Sequence, residues 1–178
     1  MDKEILYKGK YQKLCKIGTW EFLERVNCTG IVMIMPQLTD GRIILVEQYR
    51  VPVQSRVIEF PAGLAGDIPE EAGESMKNAA VRELWEETGY EAGEMTLVAQ
   101  GPPSPGMCSE TIDFFVARDL KKTGPGGGDD SEDIIIHVVD IDKAADFLAE
   151  QRARGVMIDP KVYMGLWFLE KHQGANES

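Results

Sequence analysis

Apolar and polar residues alternate in two short stretches between residues 7 and 26, on either side of Lys16-Ile17-Gly18-Thr19. That period of two predicts a β-hairpin with Trp20 and Phe22 on one face. Two runs that are apolar at nearly every position follow, 30–36 (GIVMIMP) and 42–49 (RIILVEQY), with the turn Thr39-Asp40-Gly41 between them. They predict buried neighbouring strands at the centre of a sheet. Further strands are predicted at 57–60, 95–100, 111–117 and 134–139, with breaker-rich loops at 101–106 (GPPSPG) and 122–133. Elsewhere the apolar spacing is helical. From Ser75 to the natural stop at Gly89 the chain is rich in Ala, Met, Leu, Lys and Glu, with no interior Gly or Pro. Asp140 caps a second helix running to about Arg154. Asp159-Pro160 opens a third that ends near His172, with Val162, Leu166 and Leu169 as its buried face. Strands with one embedded and two terminal helices predict an α+β fold. It is read as a single domain over 1–178, in which 1–28 form the N-terminal hairpin and 29–178 the core.

The first helix carries the chemistry. Glu83, Glu86 and Glu87 fall on one side of it, while Ala80, Val81 and Leu84 turn toward another face that packs. The three acids sit in the last turns, where the helix dipole disfavours negative charge by about 0.3–1 kcal/mol each and like charges one turn apart repel. A hard divalent cation such as Mg²⁺, held by carboxylate and phosphate oxygens, removes both penalties.

Composition narrows the partners. A net charge of −11 argues against nucleic acid or an anionic membrane as a partner, and it is compatible with a cation site. Cys15, Cys28 and Cys108 are odd in number and widely spaced, which fits a reducing cytoplasm better than a disulfide framework, with Cys28 expected in the core. No apolar run of about 18 residues occurs, and Met1-Asp2-Lys3-Glu4 is charged, so a cytoplasmic protein is expected. His137 and His172 lack partners at ligand spacing and are read as surface residues.

The stretch 74–90, ESMKNAAVRELWEETGY, strongly resembles the Nudix box, G-x5-E-x7-R-E-U-x-E-E-x-G-U with U a bulky apolar residue. Everything from Glu74 to Tyr90 fits. Ten residues separate Gly63 from Glu74 where the pattern has five, which reads as a five-residue insertion in the loop 65–73. Val46-Glu47-Gln48-Tyr49-Arg50, Glu59-Phe60-Pro61-Ala62-Gly63, Ser104-Pro105-Gly106 and Asp159-Pro160-Lys161-Val162-Tyr163 extend the resemblance to the ADP-ribose and ADP-sugar pyrophosphatase branch.

That resemblance implies an α/β/α sandwich with a mixed central sheet and an N-terminal strand pair. It implies hydrolysis of ADP-ribose to AMP and ribose 5-phosphate with Mg²⁺, or Mn²⁺ in its place. The alternatives are another nucleoside diphosphate sugar as substrate, or a non-catalytic module that binds a nucleotide. By position, Glu83, Glu86, Glu87 and the carbonyl of Ala62 are implied metal ligands, and Glu74 and Arg82 an ion pair that holds loop and helix in register. Gly63 and Gly89 are implied motif glycines. Glu110 and Glu132 are the candidates for the base. Arg50 is the implied phosphate contact, Tyr11 and Trp20 the rings that stack on adenine, and Glu59 a residue lining the same pocket. A homodimer whose N-terminal strands cross to the second copy completes the expectation.

Overall fold

The computed structural model describes residues 2–66, 73–128 and 133–172. In chain order the first strands are β1 (Glu4–Lys8), β2 (Gln12–Ile17), β3 (Trp20–Arg25), β4 (Gly30–Pro36), β5 (Arg42–Arg50), β6 (Ser55–Glu59) and β7 (Ala62–Ala65). Helix α1 (Met76–Thr88) precedes β8 (Tyr90–Gly101), β9 (Ile112–Lys122) and β10 (Ile135–Asp140). After these come α2 (Ala144–Ala153), the short β11 (Met157–Ile158) and α3 (Pro160–His172).

The strands form three sheets, ordered β1-β2-β3, β10-β5-β6-β11 and β7-β4-β9-β8. The N-terminal element is therefore a three-stranded antiparallel sheet rather than a strand pair. β1 escaped the sequence reading because only Ile5, Leu6 and Tyr7 are apolar there, and all three are exposed.

β4 and β5 are buried along nearly their whole length, as continuous apolar runs require when both faces are covered. They join through the expected turn. Gly41 sits at φ 84°, and the Leu38 amide donates to the Arg42 carbonyl at 2.7 Å. The two strands nevertheless belong to different sheets. A strand has two edges, and those of β4 are taken by β7 antiparallel and β9 parallel. Apart from one bridge between Gln37 and Ile43, β5 finds its partners in β10 and β6.

Two apolar clusters lie on opposite sides of these sheets. Met33, Met35, Ile43, Leu45, Ile58, Phe60 and Phe114 pack with Leu148 of α2 and Val162 and Leu169 of α3. Val32, Ile34, Phe115 and Ala117 pack with Ala79, Ala80 and Leu84 of α1. The result is helix, sheet, helix. Among the described residues, no helix is long and apolar enough to cross a membrane.

Candidate active site

Helix α1 starts where Ser75 accepts a hydrogen bond from the Asn78 amide at 3.2 Å and stops at Gly89, which takes a left-handed φ of 70°. Between these caps the residues facing the core are Ala79, Ala80, Leu84, Glu87 and Thr88. This corrects the sequence reading twice. Glu87 lies on the packed face, because 80, 84 and 87 share one stripe of the helix, and Val81 is 38% exposed.

The Glu87 carboxylate, 2% exposed, accepts a hydrogen bond from the Ala62 amide at 3.2 Å. The strand geometry makes that amide available. The Ile34 amide donates to the Pro61 carbonyl, so Met33 and Ala62 form a non-hydrogen-bonded pair. Both polar groups of Ala62 then point away from β4, toward the open edge of β7. Next to it, a Cβ on Gly63 would overlap the Glu83 carboxylate, so the glycine forms the cradle in which Glu83 lies.

Arg82 joins the acids. Its guanidinium donates to Glu74 at 3.2 and 3.4 Å, to Glu83 at 2.9 Å, to Glu86 at 2.9 Å and to the Leu64 carbonyl at 2.9 Å. Burial opposes its charge, but the hydrogen bonds and charges of Glu74, Glu83 and Glu86 outweigh this and raise its pKa, leaving it a fixed cation. The Glu74–Arg82 pair is present, and it is one arm of a larger hub that ties α1 to β7.

The donor set suits a hard divalent cation: oxygens only, one carboxylate buried and one seated on a glycine. Among the described residues, no three acidic, imidazole or thiol groups converge at metal-holding distances. Glu83 and Glu86 are turned toward Arg82 while Glu87 is turned toward Ala62.

The other predicted residues fall in two places. Arg50 donates to Glu59 at 2.7 Å, so these two form a pair. They lie on the face of β5 and β6 opposite Leu45 and Ile58. Glu110, in contrast, is bound at 2.7 Å by Arg25 of β3. Its loop is docked on that strand through Leu23, whose amide donates to Met107 and whose carbonyl accepts from Ser109. Tyr11, in the turn between β1 and β2, and Trp20, at the start of β3, are 68% and 65% exposed. Glu132 and most of the inserted loop lie outside the described residues.

Several polar groups near the site had no local signal. Lys122 and the glycines after it meet the C-terminal end of α1. His137, read as a surface residue, lies 2.9 Å from Glu47 and meets the Phe147 ring at a tilt of 56°. Cys28 is half-buried, whereas Cys15 is the fully buried thiol.

A NUDIX domain family model matches residues 27–161. The chain is 33% identical over 148 residues to a methanol dehydrogenase activator from Bacillus methanolicus, covering 83% of this chain and 75% of that one. It is 32% identical over 187 residues to an ADP-sugar pyrophosphatase from Mus musculus, covering 90% and 82%. To an ADP-ribose pyrophosphatase from Bacillus subtilis (strain 168) it is 37% identical over 97 residues, a match that spans half of that relative. A crystal structure of an ADP compounds hydrolase superposes with a TM-score of 0.74 over 98% of this chain and 94% of the other, at 24% identity, and so shares the fold.

Proposed function

The chain belongs to the Nudix family, and from that premise we propose that it hydrolyses the diphosphate bridge of ADP-ribose to AMP and ribose 5-phosphate. Glu83, Glu86, Glu87 and the carbonyl of Ala62 would hold the divalent cation, Mg²⁺ or Mn²⁺ in its place. The observation that carries this reading is the pairing of α1 with β7, where Glu87 is buried on the Ala62 amide and Glu83 fills the Gly63 cradle. A buried carboxylate costs several kcal/mol on the order expected for any desolvated ion, which packing alone gives no reason to retain.

When bound, a divalent cation neutralises the diphosphate and lowers the pKa of the attacking water. The remaining work falls to the chain. Arg82 fixes the carboxylates of Glu83 and Glu86 and keeps Glu74 in register. Arg50, oriented by Glu59, makes forked contacts with a phosphate. Glu110 takes the proton of the attacking water after exchanging Arg25 for it, with Glu132 as the alternative base. Tyr11 and Trp20 stack on adenine once a second copy of the chain faces the N-terminal sheet. The functional unit is a cytoplasmic homodimer of single-domain chains. Support for the substrate comes from the relatives named as ADP-ribose and ADP-sugar pyrophosphatases.

The test is incubation of the purified protein with ADP-ribose, with and without Mg²⁺, and chromatography of the products. AMP and ribose 5-phosphate are expected only with metal. Glu87→Gln is expected to lower kcat by about 100-fold or more with the fold retained, since its amide oxygen still accepts from Ala62. Near-full activity of that variant would remove the metal assignment. Of Glu110→Gln and Glu132→Gln, the one that loses turnover while keeping metal binding identifies the base.

A second reading follows the methanol dehydrogenase activator, to which 83% of this chain aligns. On that reading the chain serves a dehydrogenase. Turnover of NADH in preference to ADP-ribose, ADP-glucose and GDP-mannose would favour it, and binding without turnover across that panel would favour a nucleotide sensor.

A further inference from the structure

We propose that the segment from Lys122 to Gly128 is a clasp that sets the position of Glu86 and Glu87. Its contacts are read from the structure alone, and only the task of the two glutamates rests on the hydrolase reading. The last carbonyls of a helix have no partner within it and must be satisfied from outside. In α1 the Trp85 carbonyl accepts from the Gly89 amide at 2.7 Å, and the next four go to one distant segment. Glu86 accepts from Gly128 at 3.0 Å and Glu87 from Gly127 at 2.8 Å. Thr88 accepts from the Lys122 ammonium at 2.6 Å, and Gly89 from Thr123 and Gly124 at 2.9 and 3.0 Å.

The same lysine closes the clasp on itself through the Pro125 carbonyl at 3.2 Å and lies over the Tyr90 ring at 4.9 Å. Its charge stands at the negative end of the helix dipole, beneath the three acids. The fit excludes side chains. A Cβ on Gly126, at φ 68°, would overlap the Thr88 carbonyl, and one on Gly89 would overlap the Gly124 carbonyl. Trp85 borders the clasp. Its indole covers Gly124 and donates to Thr123 at 3.2 Å.

Two of these bonds end on the carbonyls of the residues whose carboxylates must meet a cation. Ligand geometry tolerates about 0.5 Å of error, so a helix end free to fray would blur the site. Lys122 and Gly126 are thus positioning residues that act through Glu86 and Glu87.

The experiment titrates Mn²⁺ calorimetrically into the protein alone and measures kcat and KM for ADP-ribose. Lys122→Met and Gly126→Ala are expected to weaken Mn²⁺ binding and lower kcat by about tenfold each, with KM unchanged. Lys122→Arg should restore most of both. Gly41→Ala supplies the control, because Gly41 has a φ of 84° and nothing within 4 Å of an added Cβ. It carries the same backbone strain without touching α1 and should leave Mn²⁺ binding intact.

Unchanged Mn²⁺ affinity in Lys122→Met and Gly126→Ala overturns the proposal, as does an equal loss in Gly41→Ala. If Gly126→Ala does not fold, the Lys122 pair decides. Should the unaltered protein turn over no nucleotide, the hydrolase reading falls while the Mn²⁺ titration still judges the clasp. Absence of Mn²⁺ binding by the unaltered protein overturns both.

Discussion

The backbone at Gly63 carries no left-handed φ, so what the position demands is room: the Glu83 carboxylate occupies the space that any Cβ would take. Gly63→Ala should therefore push Glu83 out of its seat and lower kcat about 10- to 100-fold. The urea unfolding midpoint should move little, because alanine is otherwise tolerated at an ordinary φ. Full activity would mean that Glu83 is not needed where it lies. The residue type and its neighbourhood were legible in the sequence motif, despite the longer spacing to Glu74. The physical demand was not, because it arises from a side chain on another element 20 residues along the chain. Glu87 makes the same point. Its place in the motif was plain, but its burial depended on which stripe of α1 faces the sheet.

Among elements, β10 is held to its sheet by more than backbone. Glu47 of β5 accepts from Arg56 of β6 at 2.5 Å and shares a hydrogen bond with His137 of β10 at 2.9 Å. Arg56 in turn binds Asp133, just before β10, at 2.8 Å. Burial works to raise the Glu47 pKa, but the hydrogen bonds from His137 and Arg56 outweigh it and leave it below the ordinary value of 4.5. A carboxylate with a lowered folded pKa binds fewer protons folded than unfolded, so its contribution is complete above about pH 4.5 and fades as pH falls through the folded value. Glu47→Gln should thus be less stable than the parent by about 2 kcal/mol at pH 7, with the gap closing in acid. Urea unfolding at pH 7 and below pH 4 measures this, and a gap independent of pH would assign the loss to packing. Period and turn signals located β10, β5 and β6, yet no local pattern marks three polar side chains that meet only after the sheet forms.

For the molecule as a whole, the N-terminal sheet leaves Ile5, Leu6, Tyr7 and Trp20 exposed on its strands and Tyr11 exposed in the turn between β1 and β2. A second copy of the chain is the expected cover. Light scattering should then give twice the chain mass, and Trp20→Ser should raise KM for ADP-ribose by about tenfold, the loss of one stacked ring. A monomer with unaltered KM would leave the sheet without a part in the site. The same sheet grips the Glu110 loop through Leu23 and Arg25.

Local physics was enough for much of this protein. Continuous apolar runs made β4 and β5 buried strands, Ser75 and Gly89 bounded α1, and the ordered acids after Arg82 marked the family and its chemistry. These features depend on residues within a few positions of one another, where periodicity and capping act. Tertiary structure alone decided the rest, because each remaining feature joins groups far apart in sequence. β4 spent both edges on β7 and β9, which sent β5 to another sheet. Arg82 gathered Glu74, Glu83 and Glu86, and Arg25 took Glu110. A glycine-rich segment that reads as a plain loop closed over the carbonyls of the carboxylate helix, since unsatisfied backbone groups accept whichever donors the fold brings to them.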